Sequence, residues 1–245
     1  MFAVKRGSFA ALNLFSETIL LPEDSSPEDV LNTITKLNRE SRYHGILVQL
    51  PLPGHIAAQP VLEAIDPRKD VDGFHPENLG RLVLGKPRYV PCTPKGIIRI
   101  FQYYNISLEG QHVVILGRSA IVGRPLSILT SLKQKTANAT TTLCHSRTVN
   151  LKQHTRAADI LITALGSPEF IGSNDIKKGV VIVDVGINRV ADDSEKGYHL
   201  VGDVNQAEVQ DIAAAITPVP GGVGPMTIAM LVENTVEAAE YQQVL

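Results

Sequence analysis

Residues 112–132 read HVVILGRSAIVGRPLSILTSL. HVVIL is a short unbroken apolar run, the pattern of a strand buried on both faces of a parallel sheet. GRSAIVG (117–123) follows as a glycine-initiated turn, and 122–132 carries the periodicity of a helix. A strand that turns on a glycine into a helix start presents backbone N–H groups to a pyrophosphate. The spacing is not the G-x-G-x-x-G fingerprint, because the second and third glycine positions hold Ser119 and Val122. Taken alone, the turn is as readable as a structural one.

The alternation continues outward. TTTLCH (140–145), ADILITAL (158–165) and VVIVDVGI (180–187) are further strands, with a short helix at 151–157 after the first of them. This order predicts an α/β fold, a doubly wound, Rossmann-like parallel sheet with helices on both faces. Before Pro91 the pattern is less regular and predicts a smaller α/β domain. A helix covers 5–14, and SSPEDVLNTITKLNRE is a second helix, capped by Ser26, with Pro27 in its first turn. Val30, Leu31, Ile34 and Leu37 share its apolar face. GILVQL (45–50) has the length and composition of a doubly buried strand, PVLEAI of a short helix, and KDVDGF of a turn. The expected domains are 1–91, 92–223 and a C-terminal segment, 224–245, whose helix returns to the first domain.

The chain has 245 residues, 44% of them apolar, so a core is easily filled. A net charge of −2 without a basic run argues against nucleic-acid binding. Cys92 and Cys144 form no CxxC pair, which suits a reducing, cytoplasmic setting, and the histidines show no metal-ligand spacing. No apolar stretch approaches the roughly 20 residues needed to span a membrane. MFAVKRGSFAALNLF has a basic pair ahead of an apolar patch, but Ser8 and Asn13 interrupt it, and an amphipathic helix describes it better than a targeting segment.

At the end of the second strand of the regular region stands Cys144-His145-Ser146-Arg147, where an NAD site often carries an acidic residue. A hydroxyl and a guanidinium suit the extra phosphate of NADP, which a carboxylate would repel. Arg118 adds a second positive charge from the first turn. The expected cofactor is therefore NADP, with NAD the lesser alternative, since arginines here can also serve a phosphate-assisted NAD site. Further on, ITPVPGGVGPMT (216–227) brackets three glycines between Pro220 and Pro225 just before an amphipathic helix. Such a loop lets the backbone pass close to a ligand.

HGILVQLPLP (44–53), KDVDGFHPENLGRL (69–82), PCTPKG (91–96), GRSAIVGRP (117–125), CHSRT (144–148), VDVGIN (183–188), VGDV (201–204) and TPVPGGVGPMT (217–227) stand in one order. Together they resemble the bifunctional methylenetetrahydrofolate dehydrogenase/methenyltetrahydrofolate cyclohydrolase family over essentially the whole chain. The resemblance implies oxidation of 5,10-methylenetetrahydrofolate with NADP, then hydrolysis of the methenyl cation to 10-formyltetrahydrofolate, in one-carbon metabolism. It implies a homodimer with tetrahydrofolate derivatives as ligands. Its catalytic residues fall on Lys5, Gln49 and Asp72. A cationic substrate beside Lys5 would favour the neutral amine, which can take a proton from water. The family's folate contacts fall on Val48, Leu50, Pro220, Gly221, Gly222, Val223 and Gly224. Its cofactor contacts fall on Thr93, Gly117, Arg118, Ser119, Ser146, Arg147 and Ile187.

Taken residue by residue, plainer readings compete. Lys5 could be a solvated charge, Gln49 a structural hydrogen bonder, and Asp72 a turn aspartate bonded to its own backbone. Asp70 lies nearer that last reading. The chain also departs from the family at its start, which reads as N-terminally truncated. The first strand is not evident, and the folate-stacking tyrosine would fall on Met1. A catalytically impaired NADP-binding remnant is therefore the alternative expectation. An unrelated dehydrogenase of small hydroxy or amino acids fits less well, because no catalytic histidine with an arginine clamp is evident.

Overall fold

In the computed structural model, which describes residues 2–243 and side chains from Lys5 on, the chain opens in helix α1 (Phe2–Ala11). Helix α2 (Pro27–Arg39) begins where its cap predicts. Ser26 Oγ accepts from the Asp29 N–H at 3.2 Å while the Asp29 carboxylate accepts from the Ser26 N–H at 3.0 Å. At the far end the Lys69 ammonium donates to the carbonyls of Leu37, Asn38 and Glu40 at 3.1, 2.9 and 2.8 Å. A helix leaves such carbonyls without internal donors, and the cation meets them. Helices α3 (Ala58–Glu63) and α4 (Pro76–Val83) follow. Val30, Ile34, Ile46, Ile56, Val61 and Ile65 close one apolar core.

GILVQL does not become the buried strand its composition predicts. Only Ile46 makes a bridge, parallel to Asp70, and residues 47–50 are half-buried. A strand needs a ladder of partners. Here Gln49 uses its own side chain on the Leu50 carbonyl at 2.8 Å, and Pro51 and Pro53 have no N–H to give.

From helix α5 (Cys92–Tyr103) onward the expected alternation is present. It runs β1 (His112–Leu116), α6 (Gly123–Ser131), β2 (Thr140–Cys144), α7 (Leu151–Ala157), β3 (Ile160–Thr163) and β4 (Val181–Asp184). An antiparallel pair comes next, β5 (Asn188–Ala191) and β6 (Tyr198–Val201), then α8 (Gln206–Val209), β7 (Ala215–Ile216) and the long α9 (Val223–Gln243). The five-stranded sheet has the order β2-β1-β3-β4-β7 and every pairing is parallel. Alternate residues fill two cores. Val114, Leu116, Leu161 and Ile182 enter one, and Val113, Ile115, Ile160, Ile162 and Val183 the other. Each such side chain contributes about 1.5–3 kcal/mol of burial, so this sheet dominates the stability of its unit.

Helices α4 and α5 and the β5–β6 pair are not evident in the sequence pattern. Gly80 interrupts the first, Pro94 and Gly96 the second, and the strands of the pair are short and only half-buried. The chain divides into two units, Met1–Cys92 with Ile228–Leu245, and Thr93–Thr227.

Strand β1 lies between β2 and β3, so the chain steps outward from β1 to β2 and returns past β1 to β3. That reversal makes the carboxyl ends of β1 and β3 the topological switch point, where open α/β sheets hold ligands. Gly117 ends β1 there with φ +114°, and a Cβ on it would stand 2.3 Å from the Ala164 carbonyl oxygen. Gly117→Ala should therefore cost about 3 kcal/mol through backbone strain and overlap. Urea unfolding measures it, and a loss below about 1 kcal/mol would show that the approach relaxes freely.

Candidate active site

Five consecutive residues, 69–73, divide the work of the first cluster. Lys69 closes α2, and Asp70, fully buried, accepts from the N–H groups of Phe74 and His75 at 3.2 and 2.8 Å. The Asn78 amide donates to the same carboxylate at 2.8 Å, and Arg88 donates to the Asn78 oxygen at 3.1 Å. Val71 enters the core. Gly73 takes φ +75° with its α-carbon against Pro91, where a Cβ would lie 2.9 Å from the proline nitrogen. Asp70 is thus committed to the turn, and Asp72 is not.

Asp72 keeps partial exposure as a residue, while its carboxyl sits among protein atoms. Burial pushes its pKa up to about 6, against the lowering influence of the Lys5 cation and of a hydrogen bond from Cys92. Lys5 Nζ donates to Gln49 Oε1 at 3.1 Å. The Gln49 amide nitrogen is occupied by the Leu50 carbonyl, so its oxygen is the end left for an ammonium, which can only donate. Lys5, Gln49 and Asp72 therefore form one group in one unit, with Val48 and Leu50 flanking Gln49 in the half-buried run.

The sequence pattern did not single out two neighbours of this group. Asn234 of α9, fully buried, donates to the carbonyls of Val71 at 2.8 Å and Val90 at 3.0 Å and to Cys92 Sγ at 3.6 Å. The Cys92 thiol meets the Val71 carbonyl at 3.4 Å. The available signal was an amide on the same helical face as Met230, Leu231 and Ala238, all of them buried. The tyrosine position of the resemblance, residue 1, lies outside the described residues.

The second cluster lies in the unit 93–227. Gly117 leads into a turn where Ser119 Oγ accepts from the Val122 N–H at 3.1 Å. Helix α6 then starts with no side-chain cap. At the end of β2 the turn is set by the Thr148 hydroxyl, which accepts from the His145 N–H at 2.8 Å, and by the His145 ring, which accepts from the Arg147 N–H at 3.1 Å. Arg118, Ser146 and Arg147 project into solvent, and no hydrogen bond or ion pair holds their side chains among the described residues. Two unengaged guanidiniums and a hydroxyl beside an uncapped helix start at the switch point fit a dinucleotide carrying an extra phosphate.

Thr93 and Ile187 belong to the same unit. The Thr93 and Thr227 hydroxyls lie 3.1 Å apart, and Thr227 also donates to the Val223 carbonyl at 3.2 Å. Ile187 is 54% exposed, and its Cδ1 would lie 3.8 Å from a Cβ at Gly224. The loop of Pro220, Gly221, Gly222, Val223 and Gly224 is closed by the Gly222 N–H donating to the Pro218 carbonyl at 3.0 Å and contains a cis bond between Val219 and Pro220. Among the described residues no group of three or more His, Cys, Asp or Glu could hold a metal ion, and no helix is long and apolar enough to cross a membrane. A groove of about 970 Å³ runs along α7 beside Phe170 and contains none of the motif residues.

The family models for the tetrahydrofolate dehydrogenase/cyclohydrolase catalytic domain and NAD(P)-binding domain match residues 2–72 and 91–243. Bifunctional protein FolD 1 of Haloarcula marismortui is 53% identical over 222 residues, which is 91% of this chain and 75% of that protein. Bifunctional protein FolD of Enterococcus faecalis is 50% identical over 98% of this chain and 82% of its own. The bifunctional methylenetetrahydrofolate dehydrogenase/cyclohydrolase of Campylobacter jejuni has a solved structure with TM-score 0.92 and 45% identity, covering 98% of this chain and 83% of that one. The Trypanosoma brucei dehydrogenase-cyclohydrolase, solved with NADP and an inhibitor, gives TM-score 0.92 at 37% identity, covering 98% and 82%. With two family models spanning nearly its whole length, the chain belongs to the tetrahydrofolate dehydrogenase/cyclohydrolase family.

Proposed function

We propose that the protein oxidises 5,10-methylenetetrahydrofolate to the 5,10-methenyl cation with NADP and then hydrolyses that cation to 10-formyltetrahydrofolate. The observation that carries this reading is the Lys5–Gln49 hydrogen bond of 3.1 Å beside the buried Asp72 carboxyl. The nicotinamide ring of NADP, when bound, accepts the hydride that leaves the one-carbon bridge. In the second step water supplies the oxygen and one proton is released. A neighbouring cationic substrate favours loss of the Lys5 proton, and the free amine, oriented by Gln49, takes a proton from the attacking water. Asp72 as a carboxylate accepts from the N–H edge of the pterin, with Val48, Leu50 and the loop from Pro220 to Gly224 as further folate contacts.

For the dinucleotide, we assign Gly117 and Ser119 to the phosphate turn and Arg118, Ser146 and Arg147 to the extra phosphate. Thr93 and Ile187 are assigned to its remaining contacts. Residues 1–91 with the helix in 224–245 form the folate part, and 92–223 the NADP part. We place the protein in the cytoplasm as a homodimer. The strong family matches, with 50% identity or more over at least 91% of the chain in both relatives, favour an active enzyme over a binding remnant.

The test is direct: purified protein with NADP and methylenetetrahydrofolate should generate NADPH absorbance. Tight NADP binding without turnover would overturn the enzyme reading. Lys5→Met should slow methenyl hydrolysis by roughly 100-fold or more while leaving NADP affinity in place. Retained hydrolysis removes Lys5 from the role. The double change Arg118→Ala with Arg147→Ala should weaken NADP by roughly 10- to 100-fold and NAD far less, in titration calorimetry. Equal losses would contradict the phosphate assignment.

Asp72 makes a pH prediction. Its folded pKa of about 6 lies above the ordinary value of 3.8, so folding favours the protonated form. Its contribution is fully present below 3.8 and lost as pH rises through about 6, reaching up to about 3 kcal/mol. Relative to Asp72→Asn, the wild type should lose stability across that window in urea titrations. A pH-independent difference would mean that the carboxyl is not desolvated.

A further inference from the structure

Two aspartates outside the assigned contacts are fully buried at the carboxyl edge of the sheet, Asp184 at 3% exposure and Asp203 at 0%. Among the described residues, neither is paired with a cation. Asp184 ends β4 and accepts from the Thr163 hydroxyl at 3.0 Å and from the N–H groups of Gly186, Asp203 and Val204 at 2.9, 3.0 and 2.9 Å. Asp203 accepts from three consecutive N–H groups, those of Leu165, Gly166 and Ser167, at 2.6, 3.2 and 2.9 Å. The Asn188 amide donates to it at 3.0 Å. Each carboxylate thus holds the segment that carries the next, from the turn after β3, through residues 202–204, to the end of β4.

The turn after β3 adjoins the phosphate turn. Ala164 begins it, and its carbonyl is the group that leaves no room for a side chain on Gly117. The same carboxylate that fixes this turn also holds Asn188, next to the exposed Ile187. A turn of three N–H donors left unsatisfied would rearrange, because buried backbone donors require partners. With all three directed at Asp203, what the backbone of the turn can offer a bound ligand is carbonyl oxygen. That suits hydroxyl and carboxamide donors rather than phosphate.

We propose that Asp203 is a positioning residue for the dinucleotide, acting through the 165–167 turn and through Asn188, with Asp184 holding Asp203 in place. The assignment rests on the NADP reading above. It gives the two halves of the cofactor edge different chemistry, N–H donors at the Gly117 turn and acceptors at the 165–167 turn.

Asp203→Asn keeps the shape but sets an amide N–H₂ against N–H donors. Amide hydrogen exchange of the ligand-free protein should rise at least about 10-fold at residues 165–167 while the amides of β1 keep their protection. NADP should bind about 10-fold more weakly by calorimetry, with affinity for a tetrahydrofolate ligand unchanged. Unchanged NADP affinity alongside the faster exchange would overturn the proposal. So would a parallel loss of both affinities with protection lost throughout the unit, which is the result of a merely structural role. Should that variant fail to fold, Asn188→Ala removes one donor to Asp203 and one to the Gly202 carbonyl and should weaken NADP about 3-fold, again sparing folate; no change would overturn the proposal. Wild-type protein that ignores NADP would overturn both this role and the dehydrogenase reading, whereas normal wild-type binding with an indifferent Asp203→Asn strikes only the role.

Discussion

Irregular backbone under cover must find hydrogen-bond partners, and here buried carboxylates supply them. Asp70 takes two consecutive N–H groups in the unit of Met1–Cys92 and Ile228–Leu245. Asp184 and Asp203 each take three in the unit Thr93–Thr227. A carboxylate has about four lone-pair sites, enough to hold a whole turn without a neighbouring strand. Loops fixed in this way can lie where a ligand needs them and still satisfy every backbone donor they bury. The sheet provides the edge, and the aspartates shape it.

The same arrangement separates roles within a short motif. Asp70 and Asp72 are two residues apart, yet one is saturated by the turn and the other is left with a desolvated carboxyl. Burial without full hydrogen bonding raises a carboxylate pKa, and full bonding offsets it. Asp184 shows both effects at once. Burial pushes its pKa upward while three backbone donors and a threonine hydroxyl pull it back.

Positive charge is distributed in a complementary way. Lys69 is spent on the end of α2, and Arg88 is spent on Asn78 and Glu77. Arg118 and Arg147, at the ends of β1 and β2, are spent on nothing within the described residues. An arginine without an internal partner costs little in solvent and keeps its guanidinium fork available for a phosphate.

Much of this was legible in the chain itself. The run from His112 to Leu116, the glycine turn behind it and the alternation after it determined a parallel, doubly wound sheet, because burial on both faces leaves an unbroken apolar strand. Ser26 and Pro27 determined where α2 starts, because a cap is a local event. Only the tertiary structure decided that GILVQL stays outside a ladder, that Lys5 reaches Gln49 across 44 positions, and which of two neighbouring aspartates keeps its carboxyl out of the turn. It also decided that Asp203 secures a turn 36 to 38 residues before it. Strand and helix signals repeat every few residues and are written in the sequence. The partner of a buried polar group is whichever residue the fold brings within about 3 Å, and no local pattern records it.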